Sequence, residues 1–367
     1  MATPRVQTLP CTLHPVYIAT TLEASLPSLA RAVGVRHPVI CTERKLARLL
    51  APSVGKLSVS LGGAPVMTFL GGERHKGRGA KERLEDALFQ AGADRGSILV
   101  SVGGGVVSDL VGFTASTYMR GIPYLGVPTT LLGMVDAALG GKTAVDTPGG
   151  KNLIGAFHPP SAVFVCLDLL ATLPPAEFRG GLAECLKHGL FMDRAYWGWL
   201  AGTDLGHLRE DRADLAHLVS TSIGLKCAVV DADPEEASGR RNVLNAGHTV
   251  GHALERLSGY RTAHGEAVAA GLLWEAAAAV VQGYLPAAEL AQVRGGIEAL
   301  GFSSAWRAFD PRAVYEAAGA DKKNRSGRVL YVPLKAIGEP AFPPPHTARL
   351  DLRALRAGAA LLNTCHH

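Results

Sequence analysis

Three histidines and a glutamate stand on segments otherwise rich in Ala, Leu, Val and Gly. His248 and His252, in Asn245-Ala246-Gly247-His248-Thr249-Val250-Gly251-His252-Ala253-Leu254-Glu255, are four apart, so on a helix they share one face. His264 opens the next apolar segment as His264-Gly265-Glu266. Upstream, Gly180-Gly181-Leu182-Ala183-Glu184-Cys185-Leu186-Lys187 puts Glu184 and Lys187 one helical turn apart. Imidazoles and carboxylates on apolar helices are poor candidates for a solvated face. Two histidines and one carboxylate would leave an open position on zinc, as a catalytic site requires. Spacing alone favours pairing His248 with His252, but it does not decide which two of the three bind metal. The H-E-x-x-H signature is absent from the sequence, which disfavours a zinc protease.

A second kind of chemistry is suggested by glycine. Ser97 to Val102 runs into Gly103-Gly104-Gly105 and then Val106-Val107-Ser108-Asp109. A strand that delivers glycines to a helix N-terminus makes an anion cradle: N–H groups point outward, and missing Cβ atoms let a pyrophosphate approach. The match to G-x-G-x-x-G is incomplete, because Ser108 stands at the third glycine and no acid follows about 20 residues on. Glu73 and Lys76, in Gly71-Gly72-Glu73-Arg74-His75-Lys76, offer another way to hold a ribose and a phosphate.

Between Pro128 and Phe157, Thr129, Thr130, Asp136, Lys142, Lys151 and Asn152 are interleaved with apolar residues and glycines. That setting predicts buried or half-buried polar groups, which must be paired or bound to a ligand. Further cations lie at Lys226 in an apolar stretch, at Arg241 four residues before Asn245, and at Lys322-Lys323 after Asp321. With Lys142, Lys151 and Lys187 they suit a substrate that bears two separate anionic groups.

These residues need a scaffold. Apolar runs at 38–42, 57–61, 66–70 and 97–102 read as strands, and 81–91 has helical spacing. The alternation predicts an α/β unit, a Rossmann-like parallel sheet with helices on both faces. From Leu173-Pro174-Pro175 onward helical patterns dominate, at 176–190, 208–230, 249–257, 266–282 and 287–300, with a last helix at 351–362. The expected organisation is a nucleotide-binding α/β domain over 1–172 and a mainly α-helical metal- and substrate-binding domain over 173–367.

Composition excludes other classes. The chain is 47% hydrophobic and 19% charged, which suits a globular core. Its net charge is +5 with no run of five Lys or Arg, so neither a nucleic-acid arm nor a polybasic membrane anchor is expected. The most apolar stretch, Ala267 to Leu285, is interrupted by Glu275 and Gln282 and reads as a buried helix. Six Cys without a C-x-x-C pair read as thiols in a reducing compartment, and no apolar leader follows Arg5. A cytoplasmic location is expected.

Taken together, GGGVVSDLVGFTAS, YMRGIPYLGVPTTLLGMVDAALGGKTAVDTPGGKNLIGAFHPP, GGLAECLKHG, RNVLNAGHTVGHALE and HGEAVAAG resemble the dehydroquinate synthase family of sugar phosphate cyclases, in the family's order across 71–325. The resemblance implies zinc, or cobalt, on Glu184, His248 and His264, with His252 moved to the substrate. It implies NAD at Glu73, Lys76, Gly104, Gly105, Val106, Asp109, Thr129, Thr130 and Thr172, with Asp136, Lys142 and Lys151 shared between cofactor and substrate. Glu43 stands where the family commonly has an Asp that touches the adenosine. The substrate side would comprise Asp136, Lys142, Lys151, Asn152, Lys187, Lys226, Arg241, Asn245, His252 and one or both of Lys322 and Lys323. Arg120 would reach a neighbouring subunit's site, which implies a homodimer.

The implied activity is that of a carbon–oxygen lyase acting on phosphates. It converts 3-deoxy-D-arabino-heptulosonate 7-phosphate to 3-dehydroquinate through transient oxidation, β-elimination of phosphate, reduction and an intramolecular aldol reaction, in the shikimate route to aromatic amino acids. Lys142, Asn152, Asn245 and His252 would grip the phosphate. Lys226, Arg241 and the 322–323 pair would grip the carboxylate. Sister cyclases of sedoheptulose 7-phosphate or glucose 6-phosphate need no carboxylate grip, and a metal-dependent polyol dehydrogenase needs no phosphate grip.

Overall fold

The computed structural model describes residues 6–302, 309–320 and 328–364. The chain divides into two compact units, Met1–Phe178 and Arg179–His367. The strands of the first are β1 (Gln7–Leu9), β2 (Val16–Ala19), β3 (His37–Glu43), β4 (Val66–Phe69), β5 (Ser97–Gly103), β6 (Tyr124–Pro128), β7 (Lys142–Thr147), β8 (Gly150–Phe157) and β9 (Ala162–Cys166). Its helices are α1 (Leu22–Val33), α2 (Arg44–Leu49), α3 (Ala51–Ser60), α4 (Arg78–Gln90) and α5 (Gly105–Thr117).

Seven strands form one sheet in the order β1-β2-β9-β6-β5-β3-β4. All neighbours are parallel except β1, which closes one edge antiparallel to β2. Every residue of β5, β6 and β9 is buried, as strands covered on both faces must be. Leu84 and Leu88 of α4, with Leu110 and Val111 of α5, pack on Val39 and Leu99. Val54 and Leu57 of α3 lie beside Val102 and Val127, on the opposite face. The predicted strand at 57–61 is therefore wrong. Its short alternation ends helix α3, where Val54 and Leu57 are buried at helical spacing.

In the second unit the helices are α6 (Pro175–Met192), α7 (Arg194–Ala201), α8 (Leu205–Glu210), α9 (Arg212–Ala232), α10 (His248–Leu257), α11 (His264–Val281), α12 (Ala287–Ala299), α13 (Pro311–Gly319) and α14 (Leu352–Thr364). The helix expected over 208–230 is two. Asp211 breaks it by accepting hydrogen bonds from the N–H groups of Ala213 and Asp214, which caps α9. Almost all of α11 is buried, and it packs against α10, α12 and α14. By length and composition α9 alone among the described residues is long and apolar enough to cross a membrane. Its most apolar window is 44% buried within the protein.

Candidate metal and nucleotide sites

In the second unit, α6 supplies Glu184, α10 begins with His248 and α11 begins with His264. Two glycines let α6 and α11 meet: a Cβ on Gly265 would lie 2.4 Å from the Gly180 backbone. Arg179 of α6 donates to Glu266 of α11 at 3.0 Å, which fixes the same crossing. His248 Nε2 is 3.5 Å and His264 Nε2 is 3.4 Å from Glu184 Oε1. Ligand atoms of Glu184, His248 and His264 all lie within 4.8 Å of one another. His252 stands beside them, its ring 5.2 Å from that of His248 and 6.4 Å from that of His264.

The electrostatics suit a cation. Glu184 is fully buried, and neither carboxylate oxygen accepts a well-oriented hydrogen bond, although Lys187 pairs with Oε2. Burial pushes this carboxyl up, but Lys187, His248 and His264 outweigh it and hold it well below the usual carboxylate range. His248 Nδ1 lies 3.1 Å from the Ala246 carbonyl, which can only accept. Nδ1 therefore carries the hydrogen, and Nε2 presents a lone pair toward Glu184. Burial holds His248 well below the ordinary imidazole range despite Glu184. His264 differs, because Glu255 Oε2 lies 3.6 Å from its Nδ1 while Glu184 faces Nε2. Burial lowers its pKa, but the two carboxylates win and raise it to about 10. Two imidazoles and a buried carboxylate could hold a zinc-type ion and leave a coordination position open.

The other described second-unit residues singled out by sequence are buried or half-buried. Lys187 is buried and donates to the Leu244 carbonyl at 2.8 Å. Lys226 of α9 is buried. Arg241 is buried too, with its Nη1 donating to the Pro234 carbonyl at 2.9 Å. Asn245, His248 and His252 line a cavity of about 280 Å³, together with Asn242, Thr249, Tyr331 and Thr347. Asn242 and Thr347 went unnoticed in the sequence because a lone amide and a lone hydroxyl carry no pattern. Glu275 was noticed only as an interruption of an apolar run. It is a fully buried carboxylate whose oxygens accept from the N–H groups of Gly247 at 2.9 Å and Val250 at 3.1 Å. Burial pushes it up to about 8, against the pull of those N–H groups. The expected Lys322 and Lys323 lie outside the described residues.

In the first unit, adjacent strands β6, β5 and β3 deliver at their carboxyl ends Thr129 and Thr130, Gly104 and Gly105, and Glu43, while Glu73 and Lys76 follow β4 on a short 3-10 turn and Thr172 ends the 3-10 helix Leu167–Thr172 after β9. The end of β6 is tied to β5 by Thr129 N–H donating to the Gly103 carbonyl at 3.0 Å. Gly104 caps α5 with no side chain to cover its N-terminal N–H groups, and Val106 and Asp109 lie in its first turns. A Cβ on Gly104 would come within 3.0 Å of Thr130, and one on Gly105 within 3.1 Å of Ala137. The backbone is thus bare where an anion would approach. Glu43 packs directly on Gly71, where a Cβ would overlap its carboxylate. Lys76 is buried, pairs with Asp109 and lies 3.8 Å from Glu73. Burial raises Asp109 to about 6 although Lys76 opposes it.

In the polar segment 128–157, Thr129 is buried and Thr130 and Asp136 are half-buried as expected, but three residues are not. Lys142, Lys151 and Asn152 are exposed on the β7–β8 hairpin, a two-stranded ribbon outside the seven-stranded sheet. Asn152 accepts from Lys76, and its N–H donates to Asp146 at 2.8 Å, so the hairpin is anchored to the Lys76–Asp109 pair. Asp136 is half-buried on a π-helical turn, Gly133–Ala137. Thr172 is exposed. Arg120 is exposed on a left-handed turn with φ of 70°.

A parallel sheet with a glycine cradle, followed by a helical unit with a Glu–His–His cluster, defines a two-unit α/β protein of the sugar phosphate cyclase type. The solved structure of 2-epi-5-epi-valiolone synthase from Streptomyces hygroscopicus subsp. jinggangensis, with NAD+ and Zn2+ bound, is 27% identical with a TM-score of 0.84, covering 98% of this chain and 99% of that one. A 2-deoxy-scyllo-inosose synthase complexed with carbaglucose-6-phosphate, NAD+ and Co2+ shares the fold at a TM-score of 0.81 and 23% identity, covering 97% and 99%. Residues 66–180 match the 3-dehydroquinate synthase N-terminal family model and residues 181–324 the C-terminal one. A 3-dehydroquinate synthase of Pelobacter propionicus is 41% identical over 322 residues, which is 86% of this chain and 89% of that protein. The chain belongs to the 3-dehydroquinate synthase family, whose members are lyases.

Proposed function

We propose that the protein converts 3-deoxy-D-arabino-heptulosonate 7-phosphate to 3-dehydroquinate and phosphate, as a cytoplasmic homodimer that uses NAD and one zinc or cobalt ion. The observation that carries this reading is the Glu184–His248–His264 cluster, with two buried carboxylate oxygens that lack well-oriented donors, in a family member whose second unit also buries Lys226 and Arg241. A sugar acid phosphate offers a carboxylate to such cations, and a sugar phosphate without one does not.

When bound, the ion supplies a Lewis acid and the dinucleotide a hydride acceptor that is regenerated in each turnover. Glu184, His248 and His264 hold the ion, and His264 must give up its Nε2 proton to do so. Glu73, Lys76, Gly104, Gly105, Val106, Asp109, Thr129, Thr130 and Thr172 are assigned to NAD, with Asp136, Lys142 and Lys151 shared between it and the substrate. Lys142, Asn152, Asn245 and His252 are assigned to the phosphate, and Lys226, Arg241 and one or both of Lys322 and Lys323 to the carboxylate. Asp136, Lys151 and Lys187 complete the polar contacts to the sugar acid, and Arg120 serves a neighbouring copy. The test is to incubate the purified protein with the heptulosonate phosphate, catalytic NAD and zinc. Equal amounts of phosphate and 3-dehydroquinate, with no net NADH, are expected. NADH accumulating with product would instead identify a polyol dehydrogenase, and turnover of sedoheptulose 7-phosphate alone a sister cyclase.

A further inference from the structure

The helix that bears His248 starts without a cap of its own. Its N-cap residue is Gly247, in the left-handed region at φ 75°, and no side chain there accepts from the first turn. The free N–H groups of a buried helix end must be satisfied from elsewhere. Glu275 does this from α11: one carboxylate oxygen accepts from Gly247 N–H and the other from Val250 N–H. These two groups bracket His248 in sequence. The same two helices are pressed together at backbone distance. A Cβ on Gly271 would lie 1.9 Å from the Gly247 carbonyl oxygen, and one on Gly251 would lie 3.0 Å from the Ala267 carbonyl oxygen. These contacts make α10 and α11 antiparallel neighbours, with Glu275 gripping the end of α10 from which His248 projects.

His264 opens α11, and Glu275 lies about three turns further along it. One rigid helix therefore carries one imidazole of the cluster and clamps the backbone that carries the other. We propose that Glu275 is a positioning residue that sets His248 against Glu184 and His264, so that the cation site depends on a carboxylate that never touches the ion. The proposal rests on the reading of Glu184, His248 and His264 as cation ligands. Loss of the cap frees the first turn of α10 to shift or fray, and the Ala246 carbonyl that orients the His248 ring shifts with it.

The test is Co2+ and Zn2+ titration of metal-depleted protein by calorimetry, with the Co2+ visible spectrum as a geometric readout. The wild-type chain should bind one ion, and absence of binding would overturn the ligand reading and this inference with it. Glu275→Gln keeps volume and one acceptor oxygen, and should weaken the ion about 10- to 100-fold, the range usual for outer groups that orient ligands. Its Co2+ bands should also shift. Glu275→Ala should weaken binding further, and if it does not fold the Gln variant decides. Leu290→Ala, a core truncation on α12, is the control: it should lower the melting temperature and leave the ion affinity and spectrum unchanged. Glu275→Gln with wild-type ion affinity and wild-type Co2+ spectrum would overturn the inference, even if that variant were less stable.

Discussion

Replacing Glu184 by Gln separates the two things this carboxylate does. Glu184 pairs with Lys187, and both side chains are almost wholly buried. Removing one partner of a buried pair costs about 3–5 kcal/mol, because the remaining charge keeps its desolvation penalty. Lys187 retains its bond to the Leu244 carbonyl, which puts the expected loss near the lower end, about 3 kcal/mol. For the cation, the variant loses the only anionic ligand of the cluster and should bind at least ~100-fold more weakly, or about 3 kcal/mol. Urea unfolding of the metal-depleted protein at pH 7 measures the first quantity, and metal content after dialysis against a weak chelator measures the second. A second substitution, Lys187→Met, should restore much of the stability without restoring the ion. A Glu184→Gln protein that keeps one tightly held ion per chain would refute the ligand assignment. Unchanged stability of the ion-free variant would refute the electrostatic account of the pair.

Two further outcomes test the first unit. Gly104→Val should lower NAD affinity at least about tenfold, measured by calorimetry, with metal content unchanged, since the added side chain collides with Thr130 and covers the open turn. Asp109, raised to about 6, holds its proton to higher pH in the folded than in the unfolded chain. Stability of the nucleotide-free protein should therefore fall as pH rises from about 4 to about 6, and Asp109→Asn should flatten that part of the profile in denaturant melts.

Much of this architecture was legible because each feature had a single physical solution. The run Ser97 to Val102, apolar but for two serines, leads into Gly103-Gly104-Gly105 as a central strand feeding a helix, and it is β5. Leu57 to Leu61 misled because five alternating residues also satisfy the last turn of an amphipathic helix, and only the burial of Val54 and Leu57 decides. The choice among three histidines was not legible. Spacing favoured His248 with His252, but proximity of ligand atoms depends on how α6 crosses α11, a tertiary fact carried by Gly180 and Gly265. Exposure of Lys142 and Lys151 was missed because interleaved glycines mark a ribbon turn as readily as a buried segment. Glu275 was in plain view as an acid within an apolar helix, a signal that a buried partner must exist, but sequence could not say that the partner was a helix end.

The three groups of the Glu–His–His cluster are unequally distant along the chain. His248 and His264 belong to a sequence-local helical hairpin, whereas Glu184 lies 64 residues before His248. An ion shared by them would act as a removable cross-link, closing a loop whose ordering entropy amounts to roughly 4 kcal/mol in a flexible chain. Its supply would then govern the cohesion of the whole helical unit as well as its chemistry, because a ligand that binds only the folded state stabilises it in proportion to the logarithm of its concentration. Metal starvation would reach such a protein twice, through turnover and through lifetime.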